Sequence, residues 1–592
     1  MKTWRALGGA LFLSGSLGAA CGGSDEPGGT GGSLSSTGGG GSTGSGGSTG
    51  SGGSTGSGGS TGSGGTTGSG GSTGSGGDCQ VGETTCAGVC TDTNTDAAHC
   101  GVCDMACPVG GNATPACTAG VCELSCTEGF GDCNDAASDG CELNLTSDKL
   151  NCKTCGNVCG VGKACVASTC VIPTPIALST GRAHSCAIFN DGSVKCWGSN
   201  GFGELGVGDT NDRGYKLDDM GDKLPVVDLG AGKTTKAMAL GSYHTCALLN
   251  DDSVKCWGYN IDGQLGLGDM LERGGEPSDM GDNLPAVDLG AGKTAKAIAA
   301  GGSHTCALLN DDSIKCWGYN GNGQLGLGDD DDRGDGPNEM GDKLLAVDLG
   351  AGKLPKSIAA GGDQTCAIVT EDSIKCWGDN SYGQLGLGDN DSRGDLPNQM
   401  GDVLFAVSLG EKKTVVVVEV GGDHSCALLH DKTVKCWGYN ANGRLGIGDG
   451  LNRGDNTNEL GDLLPAVEFG TGKTAKGLTV GNEHSCALLN DDTIKCWGDN
   501  GVGQLGLGDT MPRGGSSGQM GDMLPAVNLG AASAAKAIHN GAEHTCALLA
   551  TGAVKCWGWN GNGQLGLGDT ANRGDNSNEM GNMLPALSLT GM

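Results

Sequence analysis

A pair of cysteines ten residues apart recurs seven times along the chain, at a constant spacing of 60 residues. The pairs are Cys186 and Cys196, Cys246 and Cys256, Cys306 and Cys316, Cys366 and Cys376, Cys426 and Cys436, Cys486 and Cys496, and Cys546 and Cys556. Residues 173–592 span 420 positions, which is seven times this period. A constant period of this size is typical of repeat proteins that stack or close into a ring. The repeat therefore limits the possible folds more than any other feature of the chain.

Each unit contains short runs of residues that favour strands, separated by glycine, asparagine and aspartate. In the third unit these runs read "AKAIAAGG", "HTCALL", "SIKCWG" and "LLAVDLG". None has the length or the periodicity of an amphipathic helix. Four strands in each of seven units predict an all-β fold, a seven-bladed β-propeller.

The two cysteines of a unit flank a tight turn such as the "NDD" between Cys306 and Cys316. A hairpin there places the two residues opposite each other on adjacent antiparallel strands. Facing residues lie about 4.5 to 5.5 Å apart at Cα, which a disulfide can bridge. We predict one cross-strand disulfide in each blade. Unbonded thiols that pack like alanine are the alternative.

The motif "HTCALLNDDSIKCWG", followed by "NGNGQLGLGD", resembles the repeat of the RCC1 (regulator of chromosome condensation) family. The resemblance covers residues 173–592 and implies a seven-bladed propeller. The first unit lacks a preceding "LPAVDLG" run, whereas the last unit ends with "LPALSLTG". We therefore predict that residues 584–589 form a strand beside residues 175–180 and close the ring.

Two further regions precede the cysteine-rich part of the chain. Residues 1–21 combine Lys2 and Arg5 with an apolar run, and end in "LGAAC", which resembles a bacterial lipoprotein signal with Cys21 as the lipidated residue. Ordinary signal cleavage is the alternative. Residues 22–77 are almost entirely Gly, Ser and Thr, and we expect a disordered linker. These features predict an exported protein that a lipid anchors to the outer membrane or cell surface.

Residues 78–172 hold 16 cysteines and few large apolar side chains, so we predict a module held together by disulfides. The segments "HCGVCDMAC" and "NCKTCGNVC" share one cysteine spacing, which indicates an internal duplication. The region resembles cysteine-rich modules of myxobacterial surface proteins and, more loosely, the Stig1-like family. Zinc bound by the C-x2-C pairs is the alternative to eight disulfides of unknown connectivity.

The formal net charge of −32 argues against nucleic acid as a partner, because phosphate binding needs clustered lysine and arginine. One repeat position holds histidine in six units, His184, His244, His304, His424, His484 and His544, and Gln364 in the remaining unit. A catalytic base is needed once, so equivalent histidines favour structural hydrogen bonds. We predict that the chain is not an enzyme and needs no cofactor, calcium excepted.

Two sets of residues are candidates for binding. The residue after "CWG" is a large aromatic in four units, namely Tyr259, Tyr319, Tyr439 and Trp559. We predict that these bind a partner, with packing across blade junctions as the alternative. The acidic run Asp329, Asp330, Asp331 and Asp332 is a candidate calcium site. Each unit also has a loop between its "GLGD"-type turn and the next "LPAV"-type run, which we call the Gly-Asp loop. An arginine recurs in all seven of these loops, as at Arg333, and we expect it to bridge carboxylates of the loop.

The predicted function is that of a bacterial cell-surface lipoprotein whose propeller binds a protein or a glycan. Contact with the membrane is expected through the lipid anchor only. Resemblance to the RCC1 family implies two narrower functions, guanine-nucleotide exchange on a small GTPase and inhibition or regulation of a secreted enzyme. A carbohydrate-active enzyme is a further alternative, and it would require one acid, base or metal cluster that does not repeat.

Overall fold

The computed structural model describes residues 79–134, 139–160, 163–531 and 533–590. Cys21, the predicted signal and the predicted linker lie outside the described residues. The described residues divide into two compact units: one contains Val109–Thr114 and the described residues from Leu124 onward, and the other contains residues 79–108 together with Pro115–Glu123. No helix among the described residues has the length and apolar character needed to cross a membrane.

The cysteine-rich region contains four short hairpins. They pair β1 (Thr84–Cys86) with β2 (Val89–Thr91), β3 (Ala113–Thr118) with β4 (Val121–Cys126), β5 (Phe130–Gly131) with β6 (Leu143–Asn144), and β7 (Ala164–Val166) with β8 (Thr169–Val171). Such short strands bury little apolar surface, so covalent bonds take the place of a hydrophobic core.

All 16 cysteines of this region are in disulfides. The bonds join Cys79 to Cys90, Cys86 to Cys103, Cys100 to Cys117, Cys107 to Cys122, Cys126 to Cys141, Cys133 to Cys155, Cys152 to Cys165, and Cys159 to Cys170. These cysteines form two consecutive sets of eight, from Cys79 to Cys122 and from Cys126 to Cys170. In each set the first cysteine pairs with the third, the second with the fifth, the fourth with the seventh and the sixth with the eighth. Identical connectivity in both halves is what an internal duplication produces. No thiolate is left to bind zinc.

Seven three-stranded antiparallel sheets follow, and their strands succeed one another in chain order. The strands are β9 (Pro175–Thr180), β10 (His184–Phe189) and β11 (Val194–Gly198); β12 (Thr235–Leu240), β13 (His244–Leu249) and β14 (Val254–Gly258); β15 (Ala295–Ala300), β16 (His304–Leu309) and β17 (Ile314–Gly318); β18 (Pro355–Gly361), β19 (Gln364–Val369) and β20 (Ser373–Gly378); β21 (Val415–Val420), β22 (His424–Leu429) and β23 (Val434–Gly438); β24 (Ala475–Val480), β25 (His484–Leu489) and β26 (Ile494–Gly498); and β27 (Ala535–Asn540), β28 (His544–Leu549) and β29 (Val554–Gly558). The described residues contain no α-helix. The chain thus forms the predicted all-β, seven-bladed propeller.

The structure joins the repeat cysteines as seven disulfides, one within each blade. Cys306 lies directly opposite Cys316, with 4.1 Å between their Cα atoms. The Leu309 N–H donates to the Ser313 carbonyl at the turn, so alternate pairing makes the two cysteines a non-hydrogen-bonded pair. Strands approach each other most closely at such pairs, and the spacing here is slightly shorter than expected.

The prediction of a fourth strand in each blade is wrong. The "LPAVDLG" run makes one backbone bond to the third strand, as when the Val227 N–H donates to the Val194 carbonyl (2.9 Å). Its next two carbonyls instead accept from the following blade: Asp228 from the Gly281 N–H (3.0 Å) and Leu229 from Lys255 Nζ (2.9 Å). The run therefore bridges two blades and does not extend one sheet.

The predicted strand of residues 584–589 beside residues 175–180 is also wrong. The Leu587 N–H donates to the Val554 carbonyl of its own blade (2.8 Å). The segment nevertheless reaches the first blade, where Lys195 Nζ donates to the Leu589 carbonyl (2.9 Å) and Leu589 packs into the same apolar cluster as Leu178. The ring closes through the contacts that join any two successive blades.

Each blade is fixed to the one before it by a buried tryptophan. The Trp317 indole N–H and the Thr305 hydroxyl both donate to the Gln264 carbonyl of the preceding blade (3.1 and 3.0 Å). A Cβ at Gly266, where φ is +69°, would lie 2.7 Å from the Trp317 Nε1, so only glycine fits there. The indole N–H of Trp197 makes the same bond to residue 564 and closes the ring (3.0 Å). A buried indole with a satisfied N–H contributes a large apolar area at each junction.

Candidate partner-binding face

Two positions of the repeat lie side by side on one face of the propeller. The residue after each Trp-Gly pair donates its backbone N–H to the carbonyl of the residue before the repeat histidine, as in Tyr259 to Tyr243 and Trp559 to Glu543 (both 2.9 Å). The bond occurs in all seven blades. We call the surface formed by these pairs the variable face. From the first blade to the seventh its pairs are Ala183 and Ser199, Tyr243 and Tyr259, Ser303 and Tyr319, Asp363 and Asp379, Asp423 and Tyr439, Glu483 and Asp499, and Glu543 and Trp559.

The histidines beneath this face form a ring of hydrogen bonds between blades. His244 Nε2 lies 2.9 Å from the Thr305 hydroxyl of the next blade, and His544 Nε2 lies 2.9 Å from Ser185 at the closure. Because the Thr305 hydroxyl donates to a carbonyl, its oxygen accepts from the imidazole N–H. Burial lowers the pKa of His244 to about 3, so the ring is neutral. Gln364 substitutes in its unit, with Oε1 accepting from the Ser425 hydroxyl at 3.5 Å. The histidines have the structural role that their repetition predicts.

Tyr259 belongs to an aromatic cluster between the first two blades. Its ring lies 4.8 Å from Phe202 and 6.3 Å from Tyr243, and Phe202 lies 5.4 Å from Tyr243. The Arg182 guanidinium stands 5.3 Å from the centre of the Tyr243 ring and donates to its hydroxyl. Such contacts hold the aromatic side chains in place while they are half-buried.

Tyr439 belongs to a second cluster, between the fourth and fifth blades. Its ring lies 4.3 Å from Tyr382 and 4.7 Å from the Arg444 guanidinium. Tyr319 and Trp559 each lie over a glycine of the following turn, and a Cβ at Gly561 would be 2.7 Å from the Trp559 ring. All four predicted aromatics are half-buried. The structure brings them to one face but places them on four different blades.

Acidic residues are concentrated in one half of the variable face. Six of its positions in blades four to seven are acidic, and none in blades one to three is. Burial raises the pKa of Asp423 to about 6 against the lowering effect of Arg444, and Asp379 and Glu483 raise it further. Burial also raises the pKa of Glu543. The acids are therefore close enough to repel one another when ionised.

The candidate calcium residues do not converge on one point. Asp329 Oδ2 pairs with Arg333 Nη2 (2.7 Å), and Asp332 Oδ1 accepts from the Asn320 N–H (2.7 Å). Asp330 and Asp331 are exposed. In the described part of the chain, groups of three or more metal-ligand atoms within 4.8 Å occur only among cysteines, and those cysteines are in disulfides. The arginine–aspartate pair recurs in all seven loops, as expected of an internal anchor.

Comparison with known proteins identifies the repeat. Seven stretches match a family model described as "Regulator of chromosome condensation (RCC1) repeat": 176–204, 236–264, 295–324, 356–384, 415–444, 476–504 and 541–564. A second model with that description matches residues 251–308 and 374–428. The ultraviolet-B receptor UVR8 of Arabidopsis thaliana is 30% identical over 403 residues, which cover 67% of this chain and 80% of the receptor. The chain belongs to the RCC1 repeat family.

Other RCC1 relatives match shorter parts of the chain. The mitochondrial RCC1 domain-containing protein RUG3 of Arabidopsis thaliana is 29% identical over 335 residues, 56% of this chain and 67% of that protein. The human E3 ubiquitin-protein ligase HERC2 is 28% identical over 338 residues, which cover 57% of this chain and 6% of the ligase. The matches to the two family models begin at residue 176, and the Stig1-like assignment of the cysteine-rich region stays a prediction.

Two solved structures align with the chain at low sequence identity. Human WBSCR16 has a TM-score of 0.48 at 18% identity, with 64% of this chain and 88% of that chain covered. Prp20p of Saccharomyces cerevisiae has a TM-score of 0.48 at 19% identity, with 68% and 86% covered.

Sequence reasoning missed several residues of the variable face and its border. In the RCC1 repeat of this chain, the residue directly before the Leu-Gly pair of "GNGQLG"-type turns is Gln in five units, but it is Glu204 in the first and Arg444 in the fifth. Arg182 likewise departs from its small counterparts Ser242 and Gly302. A position-by-position comparison of the seven units would have found these departures. The contacts of Arg182 and Arg444 with aromatic rings could not be read from the sequence.

Proposed function

We propose that the RCC1 propeller of this chain is a binding scaffold and that the variable face contacts a partner protein. The supporting observation is the contrast between two sets of repeat positions. The tryptophans and cysteines that join and staple the blades are the same in all seven units, whereas the variable face differs from blade to blade. Positions that differ from unit to unit on one face of a rigid scaffold are typical of a recognition surface.

The residue types of this face fit protein recognition. Tyrosine, tryptophan and arginine dominate the energetics of protein interfaces, because they provide large contact areas with few rotatable bonds. Here Tyr243, Tyr259 and Tyr439 are already packed against Phe202, Tyr382 or an arginine, which lowers the entropy lost on binding. The acidic half favours a partner with cationic groups opposite it.

We further propose that the protein acts outside the cytoplasm, anchored through a lipid on Cys21. Support comes from the signal-like sequence before Cys21 and from the 15 disulfides of the described residues, which need an oxidising compartment. Replacing Cys21 by alanine should abolish incorporation of a labelled fatty acid and release the protein from the membrane fraction. Equal labelling of both forms would contradict the anchor.

Partner binding is tested with the oxidised full chain, immobilised and exposed to surface and secreted fractions of the source organism. A variant that carries serine in place of Tyr259, Tyr319, Tyr439 and Trp559 should lose saturable binding. The matched control replaces two exposed apolar residues of the bridging runs, Leu345 and Phe405, by serine, and should retain it.

Each alternative gives a distinct result in this experiment. Loss of binding in the control alone would move the site away from the variable face. A captured enzyme inhibited by the chain would identify an inhibitor, and a captured glycan would change the class of partner. No saturable ligand for any form would contradict a binding function.

A further inference from the structure

A glutamine at one repeat position directs its amide nitrogen toward the variable face. The backbone N–H two residues earlier donates to its Oε1, as in Asn322 to Gln324 (3.0 Å) and Asn562 to Gln564 (2.9 Å). This bond identifies the other amide atom as Nε2. These glutamine side chains are fully buried, so Nε2 requires an acceptor.

Carboxylates of the variable face supply that acceptor at three blades. Gln324 Nε2 donates to Asp363 of the next blade (3.3 Å). Gln384 Nε2 donates to Asp379 of its own blade (2.9 Å), and Gln504 Nε2 donates to Asp499 of its own blade (2.8 Å). At these three blades the acceptor comes from one of two positions, the residue after Trp-Gly or the residue before the next histidine.

At the junction between the seventh blade and the first, both positions lack a carboxylate. Trp559 follows the Trp-Gly pair, and Ala183 precedes the histidine of the first blade. Gln564 Nε2 is buried and has no hydrogen-bond partner among the described residues. The neighbouring amide of Asn562 is already used, because its Nδ2 donates to Asp212 (3.2 Å).

The surroundings of this junction suit an acidic side chain from another molecule. Trp559 lies over Gly561 and is half-buried, and it holds the repeat position from which Asp379 and Asp499 reach their glutamines. The first blade has no acid at either position of the variable face. The junction therefore keeps the donor found elsewhere in the ring and lacks the acceptor.

From this comparison we infer that the junction of blades seven and one binds a carboxylate side chain, aspartate or glutamate, of the partner protein. One carboxylate oxygen accepts from Gln564 Nε2, and the methylene group packs against Trp559. The inference rests on the proposed function and names the anchor that the partner presents.

The test uses the oxidised full chain and blocked tripeptides Ac-Gly-Xaa-Gly-NH2, with Asp, Asn or Lys as Xaa, detected by saturation-transfer NMR. The Asp peptide should bind the wild type at least tenfold more tightly than the Asn or Lys peptide does. Ala183→Asp supplies the missing acceptor within the chain, so it should raise Tm and abolish peptide binding. Gln564→Leu removes the amide donor itself, so it should also abolish peptide binding.

A second site of the same construction provides the matched control. In blade three, Tyr319 stands where Trp559 stands, and Asp363 supplies the acceptor to Gln324. Replacing Asp363 by alanine in the Gln564→Leu background should therefore restore binding of the Asp peptide.

Three results would overturn the inference. A wild type that binds no peptide, while Ala183→Asp still raises Tm, would mean that a water molecule satisfies Gln564. Equal binding of the Asp and Asn peptides would remove the preference for a carboxylate. Unchanged capture of the partner by the Ala183→Asp variant would refute this site and leave the proposed function intact.

Discussion

At the scale of single residues, six histidines occupy one repeat position, and each is fully buried between two blades. Each Nε2 bonds to a hydroxyl of the next blade, whereas the Nδ1 atoms have no hydrogen-bond partner in the part of the chain that the structure describes. Burial lowers the pKa to about 3 at five of these positions, His184, His244, His304, His484 and His544, and well below its ordinary value at His424. The folded ring is neutral at pH values where the unfolded chain binds protons.

This difference makes the fold sensitive to acid. Below about pH 6.5 the unfolded chain takes up protons that the folded chain excludes, so stability falls with pH, by about 1.4 kcal/mol per unit for each histidine. Aspartates such as Asp251, whose pKa salt bridging lowers to about 2, lose stability only below pH 4. Asp423, with its pKa raised to about 6, opposes the trend, as do Glu419 and Glu543, whose pKa values burial also raises.

We predict that His304→Gln lowers the slope of unfolding free energy between pH 4.5 and pH 6 by about 1.4 kcal/mol per pH unit. Gln364 shows that the amide is tolerated at this position. Denaturant titrations at several pH values measure the slope. An identical slope in wild type and His304→Gln would refute this account.

Glu419 is a buried carboxyl in the first strand of the fifth blade. Only 6% of its surface is exposed, no described residue hydrogen bonds to its side chain, and burial raises its pKa well above the ordinary value. The equivalent residues Ala299 and Ala359 are alanines. A buried polar group without a partner costs about 1 to 3 kcal/mol.

We predict that Glu419→Ala stabilises the protein by about 1 to 3 kcal/mol at pH 7. The gain should shrink at pH 4, because a carboxyl with a raised pKa costs stability only above its unfolded pKa. Thr479→Ala in the next blade is the matched control and should be destabilising, since Thr479 Oγ1 accepts from the Asn540 N–H. A destabilised Glu419→Ala would show that Glu419 has a partner.

At the scale of elements, the sequence was sufficient to predict three strands of each blade and the hairpin that pairs Cys306 with Cys316. The "LPAVDLG" run was misassigned because its alternating burial, with Val227 and Leu229 inside, is that of a strand. Its backbone partners, such as Lys255, belong to another blade, and no local pattern reveals them. The disulfide pairing of the cysteine-rich region could not be predicted for the same reason, because no local sequence pattern shows which cysteines meet.

The last run of the "LPAVDLG" type, residues 584–589, should be essential for closing the ring. Leu589 is 4% exposed and packs against the first blade, so Leu589→Ala should cost about 2 to 5 kcal/mol. Met583, in the same segment, is 71% exposed, and Met583→Ala should change stability by less than about 0.5 kcal/mol. Thermal and chemical unfolding measure both. Equal stability of the two variants would show that closure does not depend on this run.

At the scale of the whole molecule, seven nearly identical blades carry a face that is not symmetric. One half presents Arg182, Phe202 and Tyr259, and the other presents acids around Arg444. Comparing repeat positions in the sequence was enough to find Tyr259 and Tyr439, because they interrupt a series. It could not show that Phe202 and Tyr382 join them, because those contacts depend on how successive blades pack.

The most direct test of the account is hydrogen–deuterium exchange of the full chain, alone and with its captured partner. We predict slower exchange in the loops that carry the variable face, such as residues 180–184 and 198–204, and unchanged exchange in the exposed Gly-Asp loops, such as residues 328–343. Protection confined to the Gly-Asp loops, with the variable face unaffected, would contradict the claim that this face is the binding surface.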